Sequence, residues 1–284
     1  MRVSLAILAF LVAVPVLAED DGKVLSIRNL VLSESDGGQG IDSSFRFRPG
    51  EEVHLAFQIA GFAKKEDEDE HDHVKLEFSI TAKDNAGILL AKPIIGKIEE
   101  ELTQQDKQWL PKIYRSFSLP DTLVTGEYRI DIQVRDLIAE TKLNSELKLR
   151  LQGPRVTVSK LPEIQNLQFF RDEENSRPSV NAIYKAGDAV HVKFNITGFS
   201  VKENNAYQIS YGLKVLRADR TQLFAQPKAA TEQDQTFYPR TYLTGAFHLN
   251  LEKNIATGKY FLIIELLDEL SGAKHEAEHT FQVE

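Results

Sequence analysis

An acidic run with two histidines is the part of the sequence whose residue types are best suited to cation chemistry. Glu66 to His73 contains six carboxylates and two imidazoles in eight residues. Carboxylate oxygens suit hard cations, and His71 with His73 adds nitrogen ligands for zinc or nickel. However, the run lacks the glycine turn and fixed ligand spacing of a calcium loop, and adjacent like charges favour hydration. The sequence therefore favours a solvated loop between two strands, and leaves open whether it binds a cation.

A repeated aromatic motif is the best place to look for a ligand. The motif reads WLPKIY in one part of the chain and FYPRTY in another. Its candidate contact residues are Trp109, Lys112, Tyr114, Phe237, Arg240 and Tyr242. Exposed aromatic rings of this kind stack on sugars or anchor peptides, whereas buried ones fill a core. Because duplicated aromatic residues are more often part of a core, the structural interpretation is favoured.

Two further pairs recur at matched positions. Asp136 and Asp268 each end a strand pattern, where an aspartate more often caps a turn than binds calcium. His54 and His191 lie on the polar side of alternating strands, which is typical of surface cover, although a pH-sensing role is the alternative.

Catalysis has little support in the sequence. No Gly-x-Ser-x-Gly, His-Glu-x-x-His or phosphate-loop motif is present, and no cofactor is expected. We therefore predict a protein that is not an enzyme. A hydrolase whose carboxylates are dispersed in loops stays an alternative, because glycosidase acids have no sequence signature.

Charge and cysteine content narrow the classes of partner. The formal net charge is −8, and no basic run is present, so the chain repels phosphate backbones and nucleic acid is not expected as a partner. There is no cysteine, which excludes disulfides and thiolate chemistry.

The N-terminus has the pattern of an export signal. Arg2 precedes a short apolar stretch from Leu5 to Val14, and small residues lead to an expected cut after Ala18. No later stretch is long enough for a transmembrane helix. We expect residues 1–18 to be a signal peptide and the mature chain to be secreted or periplasmic.

An internal duplication organises the rest of the chain. FRPGEEVHLAFQIAGF (residues 47–62) recurs as YKAGDAVHVKFNITGF (184–199), and TGEYRIDIQVRD (125–136) recurs as TGKYFLIIELLD (257–268). The IRNL and IQNL segments and the two aromatic motifs follow the same order. The sequence predicts one domain over 19–153, a linker over 154–163 with Gly-Pro punctuation before it, and a second domain over 164–284.

Alternation with a period of two dominates both copies and predicts antiparallel strands with one face in a core. Two stretches depart from it. Tyr260 to Leu267 is apolar on both faces, which predicts cover on both sides, and the other copy is the candidate for the second cover. Gly96 to Trp109 fits either a short helix or a long loop. The overall prediction is an all-β fold of two tandem β-sandwiches.

The segments around Tyr128 and Tyr260 resemble the tyrosine corner of immunoglobulin-like domains. In that pattern, Gly-x-Tyr opens the penultimate strand and the tyrosine hydroxyl bonds to the preceding turn. Ile130 and Leu262 stand where antibody domains have a cysteine, so the resemblance is to the wider, fibronectin-like superfamily. It implies two immunoglobulin-like β-sandwiches with Tyr128 and Tyr260 as structural corners, and it implies no functional residue.

Three functions fit these observations. The favoured one is an exported, non-catalytic binding, adhesion or scaffold protein that uses sandwich edges, loops or the groove between the copies. Its partner would be a protein or glycan of the envelope or extracellular space. The alternatives are a hydrolase or carbohydrate-binding accessory, and a purely structural envelope protein. The sequence does not identify the specific ligand.

Overall fold

The computed structural model describes residues 24–106, 108–172 and 177–284. The expected signal peptide, residues 1–18, lies outside the described residues. The first copy contains strands β1 Ser26–Ser33, β2 Glu52–Ala60, β3 Lys65–Glu66, β4 Asp72–Lys83, β5 Ile94–Leu102, β6 Lys112–Ser118, β7 Gly126–Asp136 and β8 Thr141–Leu151. The second contains β9 Glu163–Phe170, β10 Ile183–Tyr184, β11 Ala189–Thr197, β12 Ala206–Leu216, β13 Gln222–Gln235, β14 Tyr242–Asn250, β15 Gly258–Asp268 and β16 Lys274–Val283.

Each copy is a sandwich of two sheets. In the first copy, the sheet β1-β2-β6 packs on β5-β4-β7-β8, with the short β3 beside the start of β4. In the second, β9-β11-β14 packs on β13-β12-β15-β16, and β10 runs parallel to the end of β16. All other strand pairs are antiparallel. The predicted all-β fold, with one immunoglobulin-like sandwich of antiparallel sheets in each copy, is confirmed.

The cores follow from the alternation in the sequence. On β2, Val53, Leu55, Phe57 and Ile59 are buried, while the residues between them are partly exposed. One buried cluster fills the first copy and another fills the second. Between them, residues 152–162 form no strand. The exact domain boundaries stay a prediction.

In each copy, a glycine faces a phenylalanine ring and leaves room for that ring in the core. The glycine lies on a different strand in the two copies. In the first copy, a Cβ added at Gly96 of β5 would collide with the ring of Phe78. In the second, a Cβ added at Gly245 of β14 would collide with the ring of Phe194. Neither glycine has a positive φ, so close approach is the reason for it.

Two stretches differ from simple sequence expectations. The stretch from Gly96 to Trp109, expected to be a short helix or a long loop, begins as a strand, because β5 extends to Leu102. A single 3₁₀ turn follows at Gln104–Asp106. The outer face of β15 is half-buried, and Arg220 of the same copy lies 3.7 Å from the ring centre of Phe261. Cover on that face therefore includes a side chain from the turn between β12 and β13 of the same copy. Among the described residues, no helix is long and apolar enough to cross a membrane.

Candidate functional site

The two aromatic motifs do not occupy equivalent positions. The backbone N–H of Leu119 bonds to Glu51 O, and that of Leu251 bonds to Asp188 O, so Leu119 and Leu251 are equivalent and lie 132 residues apart. The motifs are 128 residues apart, which places them four residues out of register. Tyr114 therefore corresponds to Ala246 and not to Tyr242.

The first motif is divided between the core and the surface. Trp109 is half-buried and meets the ring of Phe62 edge-on, with ring centres 6.0 Å apart. Lys112 is exposed. Tyr114 points away from the core on β6 and is 53% exposed. Among the residues of this motif, only Tyr114 offers a large aromatic surface to solvent.

Tyr114 borders an open groove of about 420 Å³ on the outer face of the sheet β1-β2-β6. The same groove is lined by His54, Arg115, Ser116 and the loop around Asp36. Ser116 Oγ donates to Glu52 Oε1 at 2.6 Å, and His54 Nε2 lies 3.8 Å from Glu52 Oε2. The groove thus combines an aromatic ring with positively and negatively charged groups that can form hydrogen bonds.

The same face of the second copy has a different surface. His191 and His248 are directly opposite on β11 and β14, and their rings stack with centres 6.2 Å apart. Ala246 stands where the first copy has Tyr114. At this position of the sheet, the first copy has an exposed aromatic ring and the second copy has an alanine.

The second motif joins the two copies. Phe237 is 50% exposed, but the next residue, Tyr238, is buried in the core cluster of the first copy. Its hydroxyl donates to Asp84 Oδ2 at 3.0 Å. Burial, together with the charge of Asp84, raises the pKa of Tyr238 well above its usual range. Tyr238 is the residue of this motif that sequence reasoning missed.

Arg240 and Tyr242 extend this junction. Arg240 Nη2 lies 3.3 Å from Asp121 Oδ2 of the first copy and 3.9 Å from Asp234 Oδ2 of the second. Tyr242 is buried, and burial raises its pKa. A cavity of about 350 Å³ lies beside them between the copies. Arg240 is the positively charged residue of this acidic cavity. Arg240 and Tyr242 therefore both contribute to the junction between the copies.

Both tyrosine corners have the geometry that the resemblance implies. Tyr128 Oη donates to Val124 O at 3.0 Å, and Tyr260 Oη donates to Ala256 O at 2.7 Å. Burial raises the pKa of Tyr128. Each bond ties the start of the penultimate strand to the turn before it.

Asp136 and Asp268 are buried turn caps. Asp136 accepts from the N–H groups of Ile138 and Ala139 with Oδ1, and from Ala63 N at 2.6 Å with Oδ2. Asp268 accepts from Leu270, Ser271 and Ser200 in the same way. Burial alone would raise the pKa of Asp268, but hydrogen bonds from Ser271 and Ser200 outweigh it and lower the pKa.

The acidic run forms a hairpin rather than an open loop. Lys65 pairs with His73 and Glu66 with Asp72, so the ends of the run are strand residues. At the turn, Asp67 Oδ1 accepts from the N–H groups of Asp69 and His71, both at 3.0 Å. The backbone hydrogen bond from His71, followed by a side-chain hydrogen bond from His73, lowers the pKa of Asp67 to about 2.

Both histidines of the run contact carboxylates. His73 Nε2 lies 2.7 Å from Asp67 Oδ2, and His71 Nδ1 lies 2.5 Å from Glu101 Oε1. One ligand atom each from Asp67, His71 and Glu101 falls within 4.8 Å of the others. Glu101 belongs to β5, and no local sequence pattern connects it to the run. Strand pairing brings it there, opposite His73.

The clearly shifted carboxyl groups favour their charged form. Among the described residues, every Asp or Glu whose pKa is clearly shifted is shifted downward. A glycosidase acid needs a raised pKa to hold its proton near neutral pH. These ten groups therefore do not match the general acid of the hydrolase alternative.

Comparison with known proteins gives structural matches only. No family model matches the chain, and no curated protein matches it. Solved structures that align with it include the C-terminal domain of the AgI/II polypeptide BspA of Streptococcus agalactiae, at 12% identity and a TM-score of 0.28, covering 92% of this chain and 99% of that one. Another is the C-terminal domain of the antigen I/II-family protein AspA of Streptococcus pyogenes, at 11% identity and a TM-score of 0.29, covering 91% and 99%. Scores this low assign no function to the chain.

Proposed function

We propose that this chain is an exported, non-catalytic binding protein of the adhesion or scaffold type, and that Tyr114 is its main contact residue. The observation that carries the proposal is the exposure of Tyr114 beside an open, mixed-polarity groove on the first copy. Tyrosine and arginine are enriched among the residues that dominate binding energy, and Arg115 adjoins Tyr114 in the groove.

A protein partner fits this surface better than a glycan. Tyr114 lies on β6, an edge strand of its sheet, and among the described residues no strand pairs with its outer side. On that side, Tyr114 O accepts a hydrogen bond from Arg115 Nη1 at 2.7 Å. An extended segment can add to such an edge by main-chain hydrogen bonds while a side chain contacts the ring. The partner would be a protein of the envelope or extracellular space, which agrees with the export signal expected at the N-terminus.

The junction between the copies supports a scaffold with a fixed shape. Tyr238, buried in the first core, and the ion pair of Arg240 with Asp121 join the copies by contacts beyond the linker. A fixed arrangement lowers the entropy lost on binding, because fewer orientations must be frozen.

The test compares three forms of the purified chain: wild type, Tyr114→Ala and Phe224→Ala. Phe224 is a matched control, because it is 42% exposed on β13, in the other copy. Each form is screened by surface plasmon resonance against purified extracellular matrix proteins and on an array of defined oligosaccharides. We expect saturable binding to a protein that Tyr114→Ala weakens at least about tenfold and Phe224→Ala leaves unchanged.

Two results would overturn the proposal. Equal binding by all three forms would show that Tyr114 is not the contact. Binding to neither protein nor oligosaccharide would favour the purely structural envelope protein. Tyr114-dependent binding only to the oligosaccharide array would replace the protein partner by a glycan.

A further inference from the structure

We propose that Asp67, His71 and Glu101 bind a divalent transition-metal cation, for which zinc is the best match. This inference is independent of the Tyr114 groove. Asp67 and His71 belong to the same turn between β3 and β4, whereas Glu101 lies near the end of β5. The pairing of β4 with β5 brings Glu101 to this turn, and one ligand atom from each residue lies within 4.8 Å of the others.

His71 and Glu101 are in direct contact, which is tighter than the spacing of two ligands around a metal ion. Zinc binds nitrogen and oxygen at about 2.0–2.2 Å, so two ligands of a tetrahedral ion lie about 3.3 Å apart. His71 Nδ1 and Glu101 Oε1 are 2.5 Å apart. Both side chains are partly exposed, so small side-chain rotations can open this pair without moving a strand.

Asp67 is already oriented for this role. Two backbone N–H groups hold Oδ1, and His73 Nε2 holds Oδ2 at 2.7 Å. Such contacts fix a ligating carboxylate in the way that outer groups support ligands in metal sites. His73 is therefore a positioning residue, and Asp67 needs little reorganisation to accept an ion.

The donor types select the class of cation. An imidazole nitrogen with two carboxylate oxygens suits zinc and its transition-metal neighbours. Calcium needs six to eight oxygen ligands, which three side chains do not supply. Three protein ligands leave one tetrahedral position for water or for a donor from a partner.

The second copy shows that the fold does not require these residues. Its equivalent hairpin is four residues shorter and closes through the bond from Lys202 N to Ala206 O. The cross-strand pair His73 and Glu101 corresponds to Ala206 and Gln235, which offer no charged or imidazole ligand. The first copy therefore carries an insertion that adds ligands without being needed to turn the chain.

The experiment titrates zinc chloride into the purified chain by calorimetry. The variants are His71→Asn, Glu101→Gln and the control Glu68→Gln. Glu68→Gln removes one charge from the same turn, and Glu68 lies outside the cluster. We expect one zinc site whose affinity falls at least about tenfold in His71→Asn and in Glu101→Gln, and less than about twofold in Glu68→Gln. Unchanged melting curves without zinc would establish that the variants fold.

Three outcomes would overturn the proposal. Equal weakening by Glu68→Gln would mean diffuse attraction to an acidic surface. Zinc binding that His71→Asn leaves intact would place the ion at other histidines. Calcium binding as tight as zinc binding would exclude the imidazole as a ligand. Cobalt(II) adds a positive check, because a tetrahedral site gives it an intense visible absorption that His71→Asn should abolish.

Discussion

The two copies build the same sandwich with the same three devices. A tyrosine hydroxyl bonds to the carbonyl four residues before it, a buried aspartate caps the end of that strand, and alternating apolar residues fill the core. They differ in the hairpin before the long central strand, in the outer face of the three-stranded sheet, and in the segment that reaches the other copy. The shared features close the sandwich. The features that differ form the groove proposed for a partner, the cluster proposed for a metal ion, and the contact with the neighbouring copy.

The largest loss of stability should come from removing the contact that Tyr238 of the second copy makes with the core of the first copy. Tyr238→Ala removes a buried ring from the first core and leaves Asp84 without its hydroxyl donor. We expect a loss of about 3 kcal/mol in unfolding free energy, measured by urea denaturation. The exposed neighbour variant Phe237→Ala should cost less than about 1 kcal/mol. Equal losses would mean that the copies do not meet through Tyr238.

The shared aspartate caps should behave alike. Asp136→Ala and Asp268→Ala each leave three backbone N–H groups without their acceptor. We expect each variant to lose about 2 kcal/mol of stability in denaturant melts. A large cost in one copy and none in the other would contradict the equivalence of these positions.

The tyrosine corners should contribute less, because only one hydrogen bond is removed. Tyr128→Phe and Tyr260→Phe keep the ring and lose the bond to Val124 or Ala256. Each should lower unfolding free energy by about 1 kcal/mol. Tyr114→Phe, an exposed tyrosine on a strand, serves as the control and should change stability by less than about 0.5 kcal/mol.

Acid should reduce the contribution of Asp268. Its pKa in the folded chain lies below the unfolded value near 3.8, so its charged form stabilises the fold above that pH. The contribution then fades as pH falls through the folded pKa. The stability gap between wild type and Asp268→Asn should therefore narrow between pH 6 and pH 3 in denaturant melts. A gap that stays constant or widens would contradict the downward shift.

The smallest effect is expected from exchanging the two hairpins. Replacing residues 64–72 of the first copy by the shorter 201–205 segment of the second removes the acidic turn but keeps a closed hairpin. Without metal, the melting temperature should change by no more than about 2 °C, because the replaced residues are mostly exposed. A larger loss would show that the acidic turn supports the sandwich.

Local patterns in the sequence predict much of the fold. Val53 to Ile59 alternates strictly, and Gly-x-Tyr recurs at Tyr128 and Tyr260, so strands and corners follow from neighbouring residues. The secondary structure of the stretch after Gly96 is ambiguous in the sequence. β5 is an edge strand, and its acidic, exposed residues obscure the alternation of apolar and polar residues. Polar residues protect such edges from pairing with other chains.

Contacts between distant residues account for what local patterns miss. Glu101 meets His71 through strand pairing, and Tyr238 enters the other copy, so neither is visible in a local window. The alignment of the two aromatic motifs was wrong by four residues. Sequence similarity does not include the backbone hydrogen bonds that set strand register. Of the motif residues, Tyr114 keeps an exposed surface, while Arg240 and Tyr242 lie at the junction.

The glycine opposite Phe194 also bears on how a duplicated chain avoids exchanging strands between its two copies. Neighbouring homologous sandwiches can misfold by swapping equivalent strands. If β6 of the first copy took the place of β14, Ile113 would fall where Gly245 stands, against the ring of Phe194. The reverse exchange would place Gly245 in the first core and leave a void in place of Ile113. Each core thus disfavours the other copy's strand, which favours separate, correct folding of both copies.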